Sequence, residues 1–414
     1  MLAGKHLRMP AVMVPLLLSA LLSAPLSLDD ALARTARSPG VRQTFAAVDL
    51  KRDMNTRISP LADGLQIAIQ PGWRFLPATE KQFQMGLSVT QPFRLSSFGA
   101  NRRENAFFEA NALEASARLN AFQREVATTT AWFSLWEGWQ QLREVEQAKV
   151  LAERLLVLVA RAAGLGVLSA SDEAEAQVFL SEAELQRLNA EGEVWDRSAL
   201  LSKAMGEPMT EPITVTPDIA AVPTIAFSKT AAALTQCHPE VQQDRALASA
   251  SLSKEREEAS YRASRFDVGL AAYYDNPRGL VTFLNFGVDL GLFDRGECER
   301  GNALAQAKVA EGRAVDAEQA AITTSTLFEH EVEHRAEVQQ ELSARLLPAL
   351  ERLDQQNERR LSAGDITVFE LLQARRRLLA TRTRLRSAEA QLGNARQVAA
   401  RYLALLDHCP ERRP

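Results

Sequence analysis

Apolar positions along this chain change period from helical to alternating and back, and the whole pattern then returns about 200 residues later. Leu28, Ala31, Leu32, Val41, Phe45 and Val48 recur at helical spacing, which predicts helix over 28–56 with an interruption at Ser38-Pro39-Gly40. The period then falls to two. Leu65, Ile67 and Ile69 alternate with Gln66, Ala68 and Gln70, and Phe83, Met85, Leu87 and Val89 alternate with Gln84, Gly86, Ser88 and Thr90. The second copy alternates from Phe266 to Tyr274, turns at Asp275-Asn276-Pro277-Arg278-Gly279, and alternates again from Phe283 to Leu292. Each strand pair leads into long helical stretches, 102–165 and 172–205 in the first copy, 301–361 and 369–406 in the second.

A helix of about sixty residues is about 90 Å long, more than a compact domain can hold. Alanines at heptad-like spacing (Ala110, Ala117, Ala121; Ala303, Ala307, Ala310, Ala314) allow close helix approach, as in a coiled-coil wall.

Local phrases mark the duplication. Ser38-Pro39-Gly40-Val41 matches His238-Pro239-Glu240-Val241, and Pro92-Phe93 matches Leu292-Phe293. Each long helical stretch breaks at a related phrase: Gly166-Val167-Leu168-Ser169-Ala170-Ser171-Asp172 and Gly364-Asp365-Ile366-Thr367-Val368-Phe369-Glu370. In both, glycine supplies a left-handed helix end, a hydroxyl caps the next helix, and an acid three residues on completes a capping box. Two tight turns between antiparallel helices follow. The expected organisation is a segment 1–26, a first repeat 27–206, a linker 207–228 rich in Pro and Thr, a second repeat 229–407 and a tail 408–414.

The strands carry small or polar residues on one face and large apolar residues on the other. That is the two-residue period of a membrane β-barrel, lipid outside and water inside. A soluble antiparallel sheet with one buried face shows the same alternation. On the barrel reading, Gln84, Thr90, Asn285 and Asp289 line the lumen, and Trp73, Phe75, Tyr273, Tyr274 and Phe283 form aromatic rims. Four strands cannot close a barrel without unsatisfied edges in lipid, so several chains must contribute; three would supply twelve strands.

Composition changes this picture little. The 414 residues carry a net charge of −4, with Lys and Arg interleaved with Asp and Glu, so no nucleic-acid footprint is present. The N-terminus reads as an export signal: Lys5, His6 and Arg8, a short apolar run from Ala11 to Leu22, then small residues, with cleavage near 20–27. The three cysteines, Cys237, Cys298 and Cys409, have no metal spacing, and an odd count leaves at least one unpaired.

The ordered set of signal, helix, strand pair, hairpin with a Gly-x-x-Ser/Thr-x-x-Asp/Glu tip, linker and repetition resembles the TolC family of outer-membrane efflux proteins. Gly287 to Gly296 is similar to that family's strand ending Leu-Phe-Asp-x-Gly, and Gly364 to Ala374 to its tip followed by Leu-Leu-x-Ala-Arg. The resemblance covers about residues 28–406. It implies an α+β membrane protein: a homotrimer whose twelve-stranded outer-membrane β-barrel continues into a periplasmic α-helical barrel. The tips, with Gly166, Val167, Leu168, Ser169 and Asp172, and Gly364, Asp365, Ile366, Thr367 and Glu370, would dock a periplasmic adaptor. An inner-membrane pump of the resistance-nodulation-division type would power export of metal ions or small molecules. No catalysis and no cofactor is implied, and Arg359, Arg360 and Asp365 would form ion pairs that close the periplasmic mouth. Chain length and the simple linker look most like the heavy-metal (cobalt–zinc–cadmium) branch, although no cysteine is available near the N-terminus for lipidation, and Ser96-Ser97-Phe98-Gly99 departs from the second copy's pattern.

His330-Glu331-Val332-Glu333-His334 matches the His-Glu-x-x-His signature, in which two histidines one helical turn apart hold zinc and the glutamate activates water. A zinc metallopeptidase, and a periplasmic coiled-coil adaptor, are therefore the alternative readings. The peptidase also needs a third ligand and a cleft. The motif instead lies within an acidic stretch read as one unbroken helix over 329–353, where solvated surface or a loosely held divalent ion is expected.

Overall fold

The computed structural model describes residues 24–58, 64–75, 81–94, 97–217, 237–261, 265–275, 279–289 and 296–407. Residues 1–23 of the segment read as an export signal, the second half of the linker and Cys409 lie outside the described residues, as do the side chains of Trp73, Phe75, Gln84 and Asp289.

The chain runs α1 (Leu28–Ala36), α2 (Pro39–Thr56), β1 (Gln66–Phe75), β2 (Lys81–Arg94), α3 (Phe98–Gly164) and α4 (Ala170–Met205). The order then repeats as α5 (Pro239–Tyr261), β3 (Arg265–Asp275), β4 (Gly279–Asp289), α6 (Glu297–Glu341), α7 (Leu347–Ala363) and α8 (Val368–Asp407). A π-turn, Leu342–Leu346, joins α6 to α7, so the unbroken α-helix expected over 329–353 is corrected. Pro348 is the reason. Its nitrogen cannot donate, and its ring would strike the Ala344 carbonyl in a regular α-turn; widening the turn removes the clash.

Two compact units emerge, and each draws segments from both repeats. One comprises 1–42, 120–237 and 320–414. Its first core gathers Trp132, Phe133, Leu135 and Trp136 of α3, Val194, Leu201 and Met205 of α4, Ala31 and Ala390. Trp132, Trp136 and Trp139, on one face of α3, donate from Nε1 to the carbonyls of Leu26 (3.1 Å), Pro217 (2.8 Å) and Ile213 (2.9 Å). These bonds, with a parallel bridge between Leu26 and Val215, fasten the start of the linker to the helices. A second core, at the helix tips, joins Leu155 and Val159 of α3, Phe179 of α4, and Ile366, Val368, Leu371 and Leu372 from the second tip onward.

The other unit, 43–119 and 238–319, holds a single antiparallel sheet in the order β1-β2-β3-β4. Its helical segments are tied by polar contacts, including Lys51 to Glu109 (2.8 Å), Asn55 to the Ala106 carbonyl (2.6 Å) and Asn105 to Glu257 (2.6 Å). Ala303, Ala307, Ala310, Ala314, Ala317 and Ala321 are all buried along α6. Their alternating steps of four and three are the heptad seam, and methyl-sized knobs let helices approach closely.

Candidate functional site

The sheet has one face of small and polar residues and one of large apolar residues. On the first, Thr90, Gly269 and Asn285 stand in one row across three strands. Glycine is needed there, because a Cβ on residue 269 would lie 2.7 Å from Thr90 Oγ1. In the next row but one, Tyr273 crosses Gly86 and donates its hydroxyl to Gln70 Oε1 at 2.6 Å. Its ring stacks on Phe283, with centroids 5.1 Å apart and planes at 6°. Tyr273 and Phe283 therefore belong to the polar face rather than to an outer aromatic rim; Tyr274 points to the other side. In the backbone register Gln84 pairs with Gly72 and Asp289 with Arg265.

On the opposite face Ile67 (65 %), Ile69, Met85, Leu87, Leu270, Tyr274, Leu284, Phe286 (73 %) and Val288 are exposed together. A soluble sheet would cover such a face, because apolar area in water costs about 25 cal/mol per Å². β1 and β4 are the edges, and no further strand pairs with either among the described residues. At the foot of the sheet, Arg94 bonds the Tyr261 carbonyl and lies over the rings of Tyr261 (4.0 Å) and Phe98 (5.0 Å).

The two helix tips are built alike. At the first, Gly166 has φ +72°, its N–H reaches the Ala163 carbonyl (2.9 Å) and the N–H of Val167 reaches the Ala162 carbonyl (3.0 Å). At the second, Gly364 has φ +76°, with Gly364 to Leu361 at 3.0 Å and Asp365 to Arg360 at 2.9 Å. Both are Schellman ends, which require a residue tolerant of positive φ. Capping boxes follow: Ser169 N–H donates to Asp172 Oδ2 (2.9 Å) and Asp172 N–H to Ser169 Oγ (3.2 Å). Thr367 N–H likewise donates to Glu370 Oε2 (2.9 Å), and Glu370 N–H to Thr367 Oγ1 (3.3 Å).

The tips differ in what they present. Val167 is 75 % exposed, whereas Ile366 is 9 % exposed and sits in the tip core, with Leu168 packed beside it. Leu165, also exposed, was not singled out by the sequence reading; an apolar residue next to a helix-ending glycine was the available signal.

Charges near the tips are paired, but not at the expected positions. Among the described residues no ion pair joins Arg359, Arg360 or Asp365 within the chain. Arg375 instead pairs with Asp354 (3.3 Å) and Glu358 (3.0 Å), and Arg376 bridges α8 to Glu182 of α4 (2.8 Å). Further along, Lys149 reaches Glu184 at 2.8 Å, and the hydrogen bonds from Arg187 and Lys149 hold the Glu184 carboxyl down to about 2.

Among solved structures, the outer-membrane channel OprN matches over 91 % of this chain and 89 % of its own, with a TM-score of 0.71 and 14 % identity. The Campylobacter jejuni CmeC outer membrane channel matches over 91 % and 85 %, with 0.72 and 12 %. The fold is that of a TolC-family outer-membrane channel. CusC, a protein described as forming a transmembrane channel, extends the likeness to 98 % of this chain and 99 % of its own, at a TM-score of 0.68 and 16 % identity. No protein-family profile matches the sequence, and no curated protein does. The channel fold is thus legible in three dimensions at identities too low for sequence comparison to register. No described helix is long and apolar enough to cross a membrane.

Proposed function

We propose that this protein is the outer-membrane channel of a tripartite efflux system, a passive conduit that acts as a homotrimer. The uncovered apolar face of the four-stranded sheet, with open edges at β1 and β4, carries this reading. In lipid every backbone polar group needs a partner, so each edge must pair with another copy. Three copies give twelve strands, with β1 of one chain beside β4 of the next. Thr90, Asn285 and the row of Tyr273 and Gln70 then face the water-filled interior, and Phe286 and its neighbours face lipid.

The duplicated hairpins reach into the periplasm on this reading, and the tips at 165–172 and 364–370 dock an adaptor protein. Leu165 and Val167 supply the apolar contact, and Gly166 and Gly364 hold the turns. The inner-membrane partner, a pump of the resistance-nodulation-division type, does the energetic work. Cargo is a metal ion or a small molecule. The domain scheme of signal, two repeats, linker 207–228 and tail belongs to the same proposal. A periplasmic adaptor is disfavoured by the uncovered sheet face. A peptidase is disfavoured because Glu331, the general base it would need, is held by Arg335.

Fractionation of expressing cells tests this directly. A trimer that leaves the outer membrane only with detergent is expected. A soluble periplasmic monomer would overturn the proposal.

A further inference from the structure

His330 and His334 stand outside the channel reading. Both side chains are exposed on α6, four residues apart, with ring centroids 5.9 Å apart and planes at 12°. α6 is continuous from Glu297 to Glu341, so the spacing is held by helix geometry rather than by a loop. The neighbouring cation, Arg335, is drawn away by Glu331 and by Gln391 of α8. It therefore does not compete for the imidazole face. Glu333 and Glu337, both exposed, continue the same side of the helix and make the local potential negative.

We infer that His330 and His334 form a two-imidazole site for a divalent late first-row transition ion, of the copper, nickel or zinc class. An ion about 2.1 Å from one nitrogen of each ring sets the ring centroids about 5–6 Å apart at open coordination angles. Rotation about each Cβ–Cγ bond turns the stacked rings so that their nitrogens converge, with no movement of the backbone. Imidazole favours these ions, whereas calcium and magnesium need sets of oxygen ligands. Among the described residues no group of three or more His, Cys, Asp or Glu side chains could hold a metal. The site is therefore a two-ligand one completed by water, suited to reversible loading and not to a structural or hydrolytic role. The inference does not rest on the channel reading.

The test uses the full-length, untagged protein in detergent, titrated with copper, nickel or zinc chloride by calorimetry and passed over nickel-charged resin. The chain has five histidines: His6, His238, His330, His334 and His408; His238 is buried. Retention on the resin, elution by imidazole, and copper electron paramagnetic resonance with splitting from two nitrogens are expected. His330→Ala and His334→Ala should each weaken binding about tenfold or more, with oligomeric state and thermal unfolding unchanged. Absence of both heat and retention in the wild type overturns the inference. So does binding by the variants equal to that of the wild type, which would place the ion elsewhere.

Discussion

Phe133 of α3 lies against Gly393 of α8, its Cζ 3.0 Å from where a Cβ on residue 393 would stand. The ring is 2 % exposed and is wedged edge-on to Trp132, with centroids 5.1 Å apart. Only a residue without a side chain lets the two helices meet at this point. Gly393→Ala gains about 1 kcal/mol of helix propensity but overpacks a rigid ring at a cost of about 1–3 kcal/mol. A lower thermal midpoint is expected for Gly393→Ala in detergent. Recovery in the double variant with Phe133→Leu would confirm the contact, and a stabilised single variant would refute it.

The exposure difference at the tips separates docking from packing. Val167→Asp should leave the stability within about 0.5 kcal/mol of wild type, because the residue faces solvent. Efflux, measured as drug or metal tolerance of the host, should be lost. Ile366→Asp places a carboxylate in the tip core and should destabilise by about 3 kcal/mol or more. If Val167→Asp exports normally, the first tip is not a docking surface.

Neighbouring residues on β4 report which face meets lipid. Phe286→Arg should cost about 2–4 kcal/mol near the bilayer midplane and reduce the heat-modifiable oligomer in the outer-membrane fraction. Asn285→Arg, one residue away on the opposite face, should assemble normally and alter conductance in planar bilayers. Equal tolerance of both would count against a barrel.

Cys237 is disulfide-bonded and Cys298 is free. With three cysteines in the chain, the expected partner of Cys237 is Cys409. Non-reducing peptide mapping should find those two peptides joined and Cys298 alkylated. Cys237→Ser should lower stability by about 2–4 kcal/mol through the loop it opens. A reduced Cys237 in the exported protein would contradict this.

Burial depresses the affinity of His238 for a proton, and the nearby Glu240 opposes that only in part. The unfolded chain takes up its proton near 6.5 while the folded chain resists, so stability falls as the pH drops below that value. Between pH 7.5 and 5.5 the thermal midpoint of wild type should fall more than that of His238→Gln. Asp244, raised by its own burial, titrates in both proteins and cancels from the comparison. Parallel curves would show that His238 does not contribute.

Much of the architecture could be read locally. Gly166 and Gly364 announce helix ends because positive φ favours glycine, and Ser169 with Asp172, or Thr367 with Glu370, announce the next start. These are interactions within six residues, so they depend on little else. Alternation from Leu65 to Val89 and from Phe266 to Val288 identified strands for the same reason. Among the described residues Arg359, Arg360 and Asp365 have no ion pair within the chain, and pairing of this kind depends on which helix lies alongside. Arg375 and Arg376, one helix later, face the acids of α7 and α4 instead. The faces of Tyr273 and Phe283 follow from parity, yet only the register over Gly86 shows why the polar face accepts two aromatic rings there.

Duplication, hydrophobic period and the two capped turns are written in the chain, because period and capping are properties of neighbouring residues. Packing in three dimensions sets the rest: Trp132, Trp136 and Trp139 clasp the linker, Ile366 is buried with Leu155 and Val159, and Phe133 occupies the space beside Gly393. Each of these joins residues more than fifty positions apart, and such distances close only when long helices settle side by side and exclude water between them.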